Sequence, residues 1–253
     1  MNLSNADAYN TADVVSFYTR SVAMQPPERA IFERLESVLP AARMLDLGMG
    51  GGRTTAHLAP KVAQYLGVDY APAMVNVCAN RFPALEFRTG DARDLRSLSS
   101  GSFDLVLFSY NGVDYVDSEG RAAALGEMAR LLSPSGALIF SSHNVHSLAA
   151  LMHGEAREGV WTRMRLWRRR SRIRASNPSA KELMAHDGVS VSDGAFNFRL
   201  MTYYIKPAAQ VAALRALGFT SVDVYDLSRG TILAPEEWES CTDPWLYYLC
   251  TRG

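Results

Sequence analysis

Three cysteines in 253 residues, Cys78, Cys241 and Cys250, with no CxxC pair among them, leave neither a disulfide framework nor a thiolate zinc site. An excess of one charge is missing too. Lys and Arg number 26 and Asp and Glu 26, so no global field points to nucleic acid or an anionic membrane, and any such contact must come from a local patch. No apolar run approaches the roughly 20 residues that span a bilayer; even Phe103 to Tyr110 runs into Asn111, Gly112 and Asp114. Met1 to Tyr18 alternates polar and apolar residues, carries Asp7 and Asp13, and has no basic segment ahead of an apolar one. Internal repeats and low-complexity tracts are absent. These absences predict a reduced cytoplasmic protein with no membrane partner, long enough to build its core without staples.

What is present is an alternation of short apolar runs and helical patterns. Pro26 and Pro27 suit a first helical turn, and Ile31, Leu35, Val38 and Leu39 follow at helical spacing. Strands are predicted at Arg43 to Leu47, Val62 to Val68, Leu85 to Arg88, Leu105 to Ser109 and Ala137 to Ser141. Helices are predicted at Pro72 to Arg81 and Ser118 to Leu132, and a turn at Ser133 to Gly136. The alternation stops from about Asn144 to Leu200 and resumes with a helix at Pro207 to Leu217 and strands at Ser221 to Tyr225 and Trp245 to Leu249. Strands alternating with helices imply a doubly wound α/β fold with a mostly parallel sheet. Ordinary connections need about 2 to 6 residues, so residues 144–200 read as an inserted helical lid. The organisation expected is a helical cap over residues 1–40, a core made of residues 41–143 and 201–253, and the lid between the two parts of the core.

Glycines Gly48, Gly50, Gly51 and Gly52 follow the first strand directly, behind Asp46. Glycine there lets the backbone approach a ligand at a strand's carboxyl end, next to the free N–H groups of the following helix. A dinucleotide fingerprint would put a third glycine at position 53, where Arg53 stands. Asp69 ends the second strand 21 residues after Gly48, where a carboxylate can accept both hydroxyls of a ribose. Asp91 closes the third strand within Thr89-Gly90-Asp91-Ala92; taken alone, it also suits a turn or helix cap.

The spacing Asp46-x-Gly48-x-Gly50-x-Gly52, continued by Gly67-Val68-Asp69-Tyr70-Ala71-Pro72-Ala73-Met74, resembles class I S-adenosylmethionine-dependent methyltransferases over about residues 40 to 142. The resemblance implies a seven-stranded Rossmann-like sheet whose last strand runs antiparallel, and S-adenosylmethionine as cofactor with S-adenosylhomocysteine as its product. It also implies roles. The glycine turn would lie against the amino acid part of the cofactor and Asp69 would take the ribose. Tyr70 and Met74 would flank the adenine, positions that ordinary packing serves as well. Asp91 would accept from the adenine amino group, the Ala92 N–H would reach the ring, and Ser109 with the polar groups after it would lie near the sulfonium. Tyr18, with Tyr9, would fold over the cofactor.

Substrate contacts are expected from Tyr110, Asn111, Asn144, Tyr203 and Tyr204, and a general base from His143 after the fifth strand, because a hydroxyl acceptor must lose a proton. His143, His146 and His153 do not share one helical face, so no metal is expected. Seven arginines between Arg163 and Arg174, Arg168 among them, suit an anionic substrate; the plainer alternative is a solvated helix face paired with Glu155, Glu158 and Glu182. Trp161, Phe196 and Phe198 would join the tyrosines in an aromatic pocket or in the core. The function expected is methyl transfer to an O or N atom of a small metabolite, such as a sugar nucleotide or natural-product intermediate. RNA or protein methylation through the basic lid, and a non-catalytic cofactor-binding module, are the alternatives. Nucleic acid is disfavoured as a partner, and a homodimer stays open.

Overall fold

The computed structural model describes residues 18–19, 23–154, 160–198 and 200–252. Tyr9, Glu155 and Glu158 lie outside them, as do the side chains of Trp161, Arg163, Arg165 and Phe196.

Helix α1 (Pro26–Arg34) opens the described chain with its two prolines at the first turn, where a missing N–H costs nothing. Strand β1 (Arg43–Leu47) is buried along almost its whole length, as befits a central parallel strand covered on both faces. It is followed by α2 (Arg53–Leu58), β2 (Gln64–Asp69), α3 (Pro72–Arg81) and β3 (Glu86–Thr89), then by β4 (Phe103–Phe108), α4 (Ser118–Leu131) and β5 (Leu132–Asn144). These five strands are parallel in the order β3-β2-β1-β4-β5. The order reverses between β1 and β4, and a crevice opens at their carboxyl ends. Beyond β5 lie β9 (Trp245–Thr251) and β8 (Ser221–Tyr225), each antiparallel to its inner neighbour.

Side-chain alternation sorts the core into two layers. Leu45, Val106, Phe140 and Tyr248 face α4 and α8 (Pro207–Ala216), packing on Leu125, Met128 and Leu214. Met44, Leu105, Leu107, Ile139 and Tyr247 face the other way, onto Ile31 and Phe32 of α1 and Leu58 of α2.

Among the described residues the sheet has nine strands, two more than the seven expected. The additions are β6 (Gly188–Val191) and β7 (Thr202–Ile205), an antiparallel pair from the stretch read as wholly helical and its border. Four residues such as Gly-Val-Ser-Val carry too short an alternation to stand out from a loop. β7 runs parallel to the end of β5 through His143↔Tyr204 and Asn144↔Ile205. Position 143 also pairs with Trp245 of β9, so β7 occupies the side of β5 that β4 leaves after Phe140. Around this hairpin, α5 (Leu148–His153), α6 (Val160–Ser176) and α7 (Ala180–Met184) form a separate small core of Leu148, Met152, Ile173, Leu183, Val191 and Tyr204. The expected turn at Ser133 to Gly136 lies inside β5, taken up by a register irregularity against β4 between Phe103 and Leu105.

Phe140 is fully buried and stacked on Tyr248 with ring centroids 5.0 Å apart. Phe140→Ala is expected to cost about 3–5 kcal/mol by the usual penalty for an uncollapsed aromatic cavity. Urea denaturation measures it, and a loss below about 1 kcal/mol would mean that the layer repacks.

Candidate active site

A cavity of about 650 Å³ occupies the crevice at the β1/β4 switch. Its first wall is the turn after β1, where Gly48, Gly50 and Gly52 all take positive φ, at +59°, +55° and +82°. A Cβ on Gly48 would come within 2.5 Å of the Phe108 ring, so both conformation and space demand glycine. Gly48 and Gly50 line the cavity, whereas Gly52 packs toward Cys78 and Phe82 as the cap of α2.

Asp69, Tyr70 and Met74 line the cavity from the second strand and its helix, and Asp91 and Ala92 from the third. Asp69 is 5% exposed. One of its oxygens accepts the Gly50 N–H at 2.9 Å and the other the Ala71 N–H at 2.9 Å, leaving acceptor capacity on each. Burial raises its pKa, and the two N–H donors oppose that. Asp91 is held by the Arg93 guanidinium at 2.6 to 3.0 Å, which keeps its carboxyl below the usual range.

The far wall comes from the turn after β4, with Ser109, Tyr110 and Gly112. Tyr110 and Asn111 both take left-handed backbone, at φ 60° and 62°, an unfavourable conformation for two successive residues with side chains. The turn is fixed by the Asn111 N–H donating to Ser141 Oγ at 2.8 Å, and it swings Tyr110 into the cavity. There the Tyr110 ring meets Tyr18, also on the cavity wall, at 6.3 Å, Trp245 at 5.9 Å and the Arg53 guanidinium at 5.3 Å.

Several expected contacts sit elsewhere. Asp46 lies behind the glycine turn, accepting from Thr54 Oγ1 at 2.6 Å and Tyr65 OH at 2.7 Å. Asn111 is buried with its side chain off the cavity wall. Asn144 ends β5 as a cap, its Nδ2 donating to the Cys241 carbonyl at 2.7 Å and its Oδ1 accepting from the His146 N–H at 3.1 Å. The Tyr204 hydroxyl donates to Asp193 at 3.0 Å inside the small core, and Tyr203 lies 5.3 Å from the Arg121 guanidinium. Arg168 is exposed on α6, away from the cavity wall. Its neighbours are tied locally: Arg169 donates to the Asp193 carbonyl, Arg170 to that of Gly154 and Arg174 to that of Met152, while Arg172 stacks over Phe198 at 4.1 Å. Glu182, expected to pair with them, caps α7 through Ser179. His143, expected at the mouth of the crevice, is also off the cavity wall and 8% exposed; its Nδ1 lies 2.9 Å from Asp114, and its ring packs 6.2 Å from Tyr115, which does line the cavity.

Two buried ion pairs were not legible. Glu28 of α1, fully buried, meets Arg53 at 2.6 Å and accepts from the Ser109 hydroxyl and from Tyr247 OH at 3.0 Å. Burial alone would raise the Glu28 pKa, but Arg53, Ser109 and the Gln25 N–H carry it below the ordinary value. Asp114 meets Arg121 at 3.0 Å. Only the departure of Arg53 from the glycine pattern signalled the first, and nothing signalled the second.

A family model described as a methyltransferase domain matches residues 44–136. The chain is 37% identical over 100 residues to a demethylmenaquinone methyltransferase of Beutenbergia cavernae, covering 40% of each protein. It spans about half or less of the length of this and several other curated relatives it matches. With a malonyl-[acyl-carrier protein] O-methyltransferase of Halorhodospira halophila it is 30% identical over 217 residues, 83% of this chain and 68% of that one. The chain belongs to the class I S-adenosylmethionine-dependent methyltransferases. The solved structure of Burkholderia thailandensis 1,6-didemethyltoxoflavin-N1-methyltransferase, with 1,6-didemethyltoxoflavin and S-adenosylhomocysteine bound, matches this methyltransferase at TM-score 0.59 and 17% identity over 95% of this chain and 82% of that one, a likeness of fold.

The cofactor of this methyltransferase family is S-adenosylmethionine, and the cavity fits it. Its volume lies within the range of about 300–1,000 Å³ usual for ligand sites, and Asp69 keeps an acceptor position on each oxygen for a diol. No helix among the described residues is long and apolar enough to cross a membrane.

Burial pushes the Asp46 carboxyl up to about 6 against its bonds from Thr54 and Tyr65. A carboxyl that holds its proton more tightly when folded stabilises the fold below its unfolded value of about 3.9 and loses that contribution as pH rises through about 6. Asp46→Asn is therefore expected to gain about 2–3 kcal/mol relative to the parent between about pH 4 and pH 8. Urea melts at both pH values measure it, and parallel stability curves would refute it.

Proposed function

We propose that the protein transfers the methyl group of S-adenosylmethionine to a hydroxyl or amine of a small molecule. The observation that carries this reading is the convergence of Gly50, Asp69, Asp91 and Tyr110 from four strand ends on one cavity, with His143 packed behind its Tyr115 wall.

The bound cofactor supplies an electrophilic methyl carbon on its sulfonium; the remaining task is orientation, which holding two reactants in line can supply on its own scale of about 7–11 kcal/mol. In this chain Asp69 holds the ribose, Tyr70 and Met74 cover the base, Asp91 and the Ala92 N–H meet its edge, and Ser109 and Tyr18 close over the amino acid end. Tyr110 and Tyr115 present ring faces on the acceptor side, and His143, packed against Tyr115 and off the cavity wall itself, is proposed as the base for a hydroxyl acceptor that extends beyond that wall. Residues 144–200 form the recognition segment, with the small core around Ile173 and Tyr204 holding it in shape.

The relatives do not choose one acceptor, and one of them is named for an acyl group carried on a protein. Their names point to a demethylmenaquinone, a malonyl-[acyl-carrier protein] and, for the solved structure, 1,6-didemethyltoxoflavin. The arginines of α6 give the anionic reading less support than their number does, because four of them hold carbonyls or a ring of the insertion itself.

Asp69→Ala is expected to weaken S-adenosylmethionine binding about 10- to 100-fold, the worth of hydrogen bonds to a charged acceptor at about 1.5–3 kcal/mol. Calorimetric titration measures it, and unchanged affinity would remove Asp69 from the site. Transfer of labelled methyl from S-adenosylmethionine into a host extract, separated by size, tests the reaction. Label in small molecules supports the proposal; nuclease-sensitive label in the large fraction would replace it with RNA methylation. With the acceptor in hand, His143→Gln is expected to lower kcat about 10²- to 10⁴-fold with cofactor affinity unchanged.

A further inference from the structure

Asp114 is a fully buried carboxylate that does not face the cavity. It ends the short turn Gly112–Asp114 after β4 and gathers four donors. Oδ1 accepts from Arg121 Nε at 3.0 Å and from Ser142 Oγ at 2.8 Å. Oδ2 accepts the His143 backbone N–H at 2.6 Å and faces His143 Nδ1 at 2.9 Å. An ionised carboxylate has about four acceptor positions, so this one is filled from within the protein and has none left for a substrate.

That arrangement constrains the imidazole in two ways. An ionised carboxylate can only accept, so the hydrogen bond at Nδ1 requires the proton to be on Nδ1; a neutral ring then carries its lone pair at Nε2. Because one carboxylate oxygen grips both the backbone N–H and the ring of the same residue, ring rotation would break the bond. Tyr204 at 4.9 Å, Trp245 at 6.0 Å and Tyr115 at 6.2 Å between ring centroids crowd the imidazole from three elements. Arg121 supplies the compensating charge for burying Asp114 and is itself anchored, donating to Ser142 Oγ at 2.9 Å and to Gln210 of α8.

We propose that Asp114 is a positioning residue that fixes His143 as the Nδ1–H tautomer, with Nε2 left as the proton-accepting nitrogen. The proposal rests on the reading of His143 as the base for its use in the reaction. Its geometry can be tested without methyl transfer.

The experiment is two-bond nitrogen–proton correlation spectroscopy of the protein labelled with nitrogen isotope in its five histidines. It is recorded near about pH 8, above the ordinary imidazole range of about 6.5, with His143 assigned by the signals lost in His143→Gln. The expected wild-type spectrum shows Nδ1 bearing the proton and Nε2 bare. A ring protonated on Nε2 alone, or on both nitrogens at that pH, overturns the proposal without any variant, so the test survives if Asp114→Asn does not fold. In a folded D114N protein, verified by its backbone amide dispersion, the tautomer is expected to shift toward Nε2–H; an unchanged Nδ1–H ring would show that Asp114 does not set it. Full activity of His143→Gln alongside an Nδ1–H wild-type ring would end the base reading and leave the positioning result standing.

Discussion

Parallel strands all end at one edge of their sheet, and the helices that connect them must leave by one face or the other. Where the strand order turns back, between β1 and β4, the connections depart in opposite directions and neither covers the gap. Everything placed at the site follows from that constraint. Gly48, Asp69, Asp91 and Tyr110 are far apart in the chain, yet each stands at the last position of a strand of this edge or in the first two after it. The two core layers hold the strands in register beneath them.

The two buried ion pairs stand behind opposite parts of this edge. Glu28 and Arg53 join α1 to the glycine turn and reach Ser109 and Tyr247, while Asp114 and Arg121 join the end of β4 to α4 and β5. Such pairs add little net stability, since desolvation offsets most of their attraction, but loss of one partner leaves a charge stranded, at about 3–5 kcal/mol. Each spans two elements, so moving either element would separate its charges. The strained backbone of Tyr110 and Asn111 lies between the two pairs and persists because both neighbours are fixed.

How much of this could be read from the sequence depended on whether a residue acts through its own neighbourhood. The glycine turn, Asp69, Asp91 and the strand–helix alternation are local, since spacing along the chain decides them, and Gly48, Gly50, Asp69 and Asp91 line the cavity. Asp46, Asn144 and Tyr204 carried the right chemistry at strand positions near the site, but which way each side chain turned was decided by partners distant in sequence: Tyr65, Cys241 and Asp193. Glu28 and Asp114 had no local signal, because a carboxylate on a helix or in a turn reads as surface until the chain is folded. Composition counts the charges of α6 but cannot see that Arg169, Arg170 and Arg174 hold backbone carbonyls of the insertion.

Among the described residues the hairpin of β6 and β7 pairs with the parallel sheet at two positions, His143↔Tyr204 and Asn144↔Ile205, and the helices before it share their own core. The stretch is thus grafted onto the end of β5 rather than woven into the fold. Substitutions inside it can reshape the volume around the His143 ring while the packing of Leu45, Val106 and Phe140 stays untouched. Under the proposed function, a segment attached in this way would let acceptor recognition change by replacement of residues 144–200 while the strand ends of β1 to β4 keep their arrangement.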